Sequence, residues 1–215
     1  MSLKLNFMKK APLIMLLLAG VASCAAVNPL DKVRQELNAA EVCCMGYEQF
    51  NFKPLDFRET ERIIINRESP VFQFDTGKSY FKAFRLPAAG KSYSIIVGSY
   101  FAEQVTRSGT SFVFSPVVMF LDADYRVTRK VDKGFAAVVE AGNSMNNAKL
   151  EARIAMSPRA ADERYMVIYT TTALLNQTTT LRVYKYARWG TIEDNYPVPN
   201  APTGELNVSL VPERS

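Results

Sequence analysis

The sequence contains no histidine. That removes the commonest metal ligand and the commonest general base at neutral pH. Serine and threonine are plentiful, but without an imidazole none has its usual activating partner. Cysteine is scarce, at three in 215 residues, and no two stand at CxxC spacing, which argues against a zinc finger or a thioredoxin-like redox motif. No metal and no cofactor is expected, and the chain reads as non-catalytic. There is one tryptophan. No internal repeat or low-complexity tract is visible, and no apolar run approaches the roughly 20 residues of a membrane-spanning helix.

What the amino terminus does have is a three-part leader. Lys4, Lys9 and Lys10 supply positive charge, Leu13 to Leu18 form an apolar centre, and Ala19, Gly20, Ala22 and Ser23 are small. This is the layout of a secretory signal peptide. Its end, Val21-Ala22-Ser23-Cys24, resembles the bacterial lipobox, in which small side chains precede a cysteine whose thiol takes a lipid. We expect cleavage before Cys24 and a membrane anchor on it, each buried methylene contributing about 0.8 kcal/mol. Ala25 follows, where an aspartate would suggest retention at the inner membrane, so an outer-membrane lipoprotein facing the periplasm of a Gram-negative envelope is expected. Loss of the leader's three lysines takes the net charge from +5 to +2, which leaves no electrostatic argument for nucleic acid as a partner.

The expected organisation is a signal peptide (1–23), a lipidated amino terminus with a helical stalk or brace (24–49) and a β domain (50–215). Asn28-Pro29 is a good helix start, and Val33, Leu37, Ala40 and Cys44 follow at helical spacing, predicting one amphipathic helix from Pro29 to about Cys44. An exported chain permits disulfides, but a bridge between neighbours is rare, so Cys43 and Cys44 read as two small apolar residues on that helix.

From Phe50 onward the pattern is β. Runs such as "RIIIN" (62–66), "YSIIVGSYF" (93–101), "KLEARIAM" (149–156) and "RYMVIYTT" (164–171) are short, rich in β-formers and separated by turn signals. That spacing predicts an all-β, antiparallel sandwich. Pro116 makes the run 111–123 an edge, a bulge or two pieces. The stretch 170–190 resists assignment: residues 180–190 read as a short helix or a final hairpin. The proline-rich "TIEDNYPVPNAPTG" after Gly190 reads as a surface loop.

Two clusters could carry chemistry. Asp122 and Asp124 in "LDADY" could pair as acids or bind calcium, but a turn in which aspartate caps backbone amides is the better reading. Sugar-binding ingredients gather near the carboxyl terminus: aromatic rings to stack on a pyranose, amides and acids to meet its hydroxyls. The candidate ligand-binding residues are Asn176, Gln177, Tyr186, Trp189 and Tyr196, with Thr178, Tyr184, Glu193, Asp194 and Asn195 nearby. Trp189 could equally plug the open end of the sandwich.

Four blocks carry a family resemblance: "FKPLD" (52–56), "KSYFKAFRLPA" (78–88), "FSPVVMFLDADY" (114–125) and "ERYMVIYTTTALLNQTT" (163–179) with "YARWG" (186–190). On these the chain resembles the MalM family, the maltose operon periplasmic proteins. The resemblance implies a cell-envelope protein accessory to carbohydrate uptake, of the maltose or maltodextrin type, with a sugar or an envelope transport protein as partner. The alternative is a structural lipoprotein that docks another envelope protein through a sheet edge.

Overall fold

The computed structural model describes residues 28–88, 92–102, 111–138, 148–157, 162–187 and 190–213, with the side chains of 183–194 left undescribed. One helix, α1 (Pro29–Ala39), leads into the strands β1 (Lys53–Pro54), β2 (Glu61–Ile65), β3 (Val71–Phe74), β4 (Gly77–Tyr80), β5 (Lys82–Arg85), β6 (Tyr93–Ala102), β7 (Phe112–Phe114), β8 (Val117–Leu121), β9 (Val127–Val131), β10 (Ala136–Val138), β11 (Lys149–Met156) and β12 (Tyr165–Tyr169). A single helical turn, α2 (Thr172–Leu175), precedes β13 (Thr178–Ala187), β14 (Gly190–Ala201) and β15 (Gly204–Pro212).

The fold is the expected all-β sandwich. One sheet runs β1-β5-β12-β8-β9. The other is built around β6, which pairs with β11 along one side and with β15 along the other, β15 passing on to β2. At the far end of β6, Phe101 and Ala102 pair instead with β7, which leads to β14 and β13. The pairing is antiparallel apart from two two-residue parallel registers, β1 with β5 and β7 with β14. Pro116 divides its run in two: β7 belongs to the second sheet and β8 to the first, so the chain changes sheets at the residue that cannot donate to a ladder.

Between the sheets lies an aliphatic core. Phe84, Val118, Phe120, Met166 and Ile168 face Ile63, Ile95, Val97, Ile154, Leu206 and Val208. Each such side chain contributes about 1.5–3 kcal/mol by leaving water. The first sheet is also covered on its other face, by the chain segment 43–52 and the β3–β4 hairpin. Hence all five residues of β8 are buried, as in strands covered on both sides.

Helix α1 begins as expected. The Asn28 side chain accepts from the Leu30 amide at 3.0 Å, with Pro29 in the first turn. It ends at Ala39, however, well before Cys44. Ala40 is extended, and the Lys78 ammonium donates to the carbonyls of Asn38 and Ala40 at 2.8 Å each, which satisfies orphan acceptors at a terminus that favours a cation. Leu37 packs into the inter-sheet core. Past the helix the chain is extended, and the Cys43 amide donates to Val71 at 2.8 Å. Both cysteines are therefore off the helix, and they are joined to each other by a disulfide rather than lying as separate apolar residues.

Of the two readings of 180–190 the hairpin is the one that forms, not the short helix, and the predicted surface loop after Gly190 is replaced by strand. Over the described residues β13 pairs with β14 from Thr178↔Pro199 to Ala187↔Gly190. The prolines that suggested a loop are compatible with this ladder. Pro197 and Pro199 are two apart, so both lack a donor on the same side of β14; the neighbouring Asn200 amide points to the β13 side, donating to Gln177 at 3.3 Å. The helical signal lies earlier, at Thr172–Leu175, where the Thr171 hydroxyl caps the Leu174 amide.

Candidate functional site

Strand β12 sorts its residues by parity. Met166 and Ile168 point into the inter-sheet core, whereas Tyr165, Val167 and Tyr169 belong to the outer face. That outer face is aromatic. Phe50 stacks on Phe81 at 4.1 Å and Phe74 on Tyr169 at 4.0 Å, all four buried. Nearer the end of the sheet the aromatic layer reaches the surface. Phe52 lies 4.3 Å from Tyr165, and Tyr125 stacks on Tyr165 at 4.9 Å with 14° between planes. All three rings are partly exposed.

Each ring comes from a different element. Phe52 is carried by the segment that crosses the sheet, next to β1. Tyr165 opens β12. Tyr125 sits in the turn between β8 and β9, and it is the one described non-glycine residue with positive φ, at 61°. This conformation costs about 1–2 kcal/mol for an L-residue, and the turn around it is over-determined. The Asp122 carboxylate accepts from the amides of Asp124 at 2.9 Å and Arg126 at 2.8 Å, the Tyr125 amide donates to the Asp122 carbonyl at 3.2 Å, and Asp124 pairs with Arg126 at 2.8 Å. Asp122 and Asp124 thus serve the turn. The Tyr125 and Tyr165 hydroxyls share a hydrogen bond at 3.4 Å, and the bond and its neighbouring phenol raise the Tyr125 phenol above the ordinary tyrosine value. The result is a rigid aromatic ledge with hydroxyls at its edge. Such a ledge suits a ligand with one apolar face and a polar rim.

The sequence-derived candidates are placed differently. Asn176 ends α2 and Gln177 precedes β13; both are exposed. Tyr196 lies opposite Leu181 in the ribbon and is 37% exposed. Tyr186 is near the far end of β13, opposite Thr191, with its side chain undescribed. Trp189 and Cys24 lie outside the described residues. At ~3.3 Å per residue, the nine positions from Gln177 to Tyr186 span about 30 Å. The ribbon therefore spreads Gln177, Tyr186 and Tyr196 along its length.

The base of the ribbon is firmly held. Asn200, 2% exposed, donates to the Leu174 carbonyl at 2.8 Å and accepts from the Thr179 hydroxyl at 2.8 Å. Its own carbonyl accepts from Arg34 of α1 at 3.1 Å, and the same guanidinium nitrogen donates to the Leu175 carbonyl. Among the described residues no group of three or more acidic or cysteine side chains is placed to hold a metal ion, and no helix is long and apolar enough to cross a membrane.

The rings at 52, 125 and 165 were not singled out by sequence reasoning, although each lies in a block quoted above. The available signal was parity. In "RYMVIY" the tyrosines alternate with Met166 and Ile168, which marks one aromatic and one aliphatic face.

Fold and site together define a class: an all-β sandwich with an aromatic surface ledge. The chain belongs to the MalM family, described as maltose operon periplasmic protein precursor, whose model matches residues 76–208, well over half its length. The match runs from the β3–β4 turn into β15, so it includes Tyr125 and Tyr165 and leaves out Phe52. The family description indicates a periplasmic protein associated with the maltose operon. Comparison with the curated proteins returned no match, and comparison with the solved structures returned none either.

Proposed function

We propose that this chain is a non-catalytic lipoprotein of the cell envelope, anchored in the outer membrane through Cys24 and facing the periplasm. There it assists carbohydrate uptake by binding a maltodextrin-like sugar or a transport partner. Membership of a family described by the maltose operon supports the pathway class. The leader and the Val21-Ala22-Ser23-Cys24 sequence support the anchor. The observation that carries the sugar reading is the Phe52–Tyr165–Tyr125 ledge, whose rings are partly exposed and pre-oriented by a strained turn. Asn176, Gln177, Tyr186, Trp189 and Tyr196 remain a second set of candidate contact residues, for a sugar or for a protein.

Calorimetric titration of the mature chain against a broad glycan panel, maltodextrins included, tests the sugar reading. Saturable binding lost in Tyr165→Ala supports it; no binding across the panel refutes it. Palmitate labelling compared with Cys24→Ala tests the anchor, and an unlabelled wild-type protein would refute that part.

A second reading is docking through a sheet edge. Among the described residues strand β2 pairs only with β15, and Ile64 on it is 53% exposed. It borders a cleft of about 460 Å³, rimmed by Cys43, Cys44, Phe50 and Lys82. Such an edge offers unpaired backbone groups beside an apolar recess. Retention of an envelope protein by the wild-type chain and its loss in Ile64→Lys would favour this reading.

A further inference from the structure

We infer that the end of the five-stranded sheet beside the aromatic ledge binds a saccharide that carries an anionic group, a phosphate or a carboxylate. The inference rests on the sugar reading above and narrows its ligand. Strands β5 and β12 are antiparallel, with Arg85 directly opposite Tyr165. Opposite residues share a face, with Cβ atoms about 4.5–5.5 Å apart, so the Arg85 side chain emerges beside the ledge. Arg164 is fixed by its backbone between the neighbouring segments: its amide donates to Leu121 at 2.7 Å and its carbonyl accepts from Leu86 at 2.8 Å. Arg85, Arg164 and Tyr165 line one cavity of about 480 Å³, whose remaining walls are apolar and include Pro54, Pro87 and Ala123.

Two features set these arginines apart from Arg62, Arg67, Arg126 and Arg129, each of which is paired with a carboxylate. Among the described residues neither Arg85 nor Arg164 has an ion-pair or side-chain hydrogen-bond partner, and no acidic residue lines their cavity. Two arginines lining a recess whose other walls are largely apolar, with no acidic residue among the lining, favour anions there. The guanidinium fork matches phosphate and carboxylate oxygens with paired donors. The space far exceeds a bare oxyanion and falls in the range of roughly 300–1,000 Å³ typical of small-ligand sites. With Tyr165 as a shared wall, an anionic substituent can meet the arginines that line the cavity while the sugar ring lies against the tyrosine.

The test is calorimetry of the mature chain at low salt with four probes: maltotriose, glucose 6-phosphate, trigalacturonate and inorganic phosphate. At least one charged saccharide should bind about ten-fold or more tightly than maltotriose and than inorganic phosphate, and should weaken about ten-fold in the Arg85→Gln/Arg164→Gln double variant. Its affinity should fall as salt rises, and Arg58→Gln, another exposed arginine, should bind as wild type. Equal urea midpoints for the double variant and wild type establish that folding is intact. If maltotriose binds as well as the charged saccharides, or the double variant retains full affinity for them, the anionic site is overturned while the sugar reading stands. If inorganic phosphate matches the sugar phosphate, the ring has no role and the proposal fails. Binding of no saccharide at all would overturn both readings.

Discussion

The two faces of the five-stranded sheet are built from alternate residues of the same strands, yet they differ in kind. The inner face, with Val118, Phe120, Met166 and Ile168, meets a second sheet and is sealed; each of these residues is 0% exposed. The outer face is aromatic and is covered by a crossing segment and a two-stranded hairpin, and its rings at 52, 125 and 165 emerge at the edge. A step of one residue along β12, from Met166 to Tyr165, passes from a sealed side chain to a partly exposed ring. The comparison teaches that the packed core and the proposed recognition surface are separated here by strand parity rather than by domain.

The sharpest way to break this comparison is truncation on each side of one strand. Phe120→Ala should cost about 3–5 kcal/mol, because it leaves a cavity in a sealed layer. Tyr165→Ala, at a partly exposed position, should cost about 1 kcal/mol while removing the binding surface. Urea unfolding measures both, and equal losses would erase the distinction. Next in size is Asn200→Ala, expected to cost about 1–3 kcal/mol because it strips a partner from the Leu174 carbonyl and the Thr179 hydroxyl in a buried setting.

A pH dependence sharpens the same contrast from the inside. Burial raises the phenol of Tyr93, which belongs to the inter-sheet core, from 10.0 to about 12. Between those values the folded chain holds a proton that the unfolded chain has lost, so stability must fall as pH rises from about 10 to about 12. Tyr47, Tyr80 and Tyr169 are shifted upward as well, each chiefly by burial, and add to the loss in the same direction. Tyr93→Phe should flatten the alkaline slope of the urea midpoint. An unchanged slope would mean that Tyr93 does not titrate in this range.

The smallest expected effect on stability is that of Tyr125→Gly. Glycine relieves the left-handed backbone but loses the ring stack, so the net change should stay within about 1 kcal/mol. Ligand binding should nonetheless drop, since the ledge loses one of its three rings.

Much of the fold was readable because period-two runs such as "KLEARIAM" report directly which face is buried, and Pro116 marked the change of sheet correctly as a break. The failures have local causes. The end of α1 depends on Lys78, some forty residues away, so spacing alone overran it. Pro197 and Pro199 imitate a loop until one sees that both missing donors face away from β13. The reading of Cys43 and Cys44 as separate apolar residues rested on the rarity of a bridge between neighbours and on the same overrun helix, which the extended chain there does not form. The ledge was the least readable element. Phe52, Tyr125 and Tyr165 come from three distant stretches, and their meeting depends on strand order, whereas Gln177, Tyr186 and Tyr196 drew notice by sequence proximity that an extended ribbon converts into distance.

The central claim is that the outer-face rings, not the ribbon, form the primary ligand contact. It is tested most directly by titrating the glycan that binds the wild-type chain best into two variants, Tyr125→Ala/Tyr165→Ala and Trp189→Ala. The account predicts that the double variant loses at least about ten-fold in affinity while Trp189→Ala binds within a factor of about two. Loss of binding in Trp189→Ala with full affinity in the tyrosine variant would contradict it.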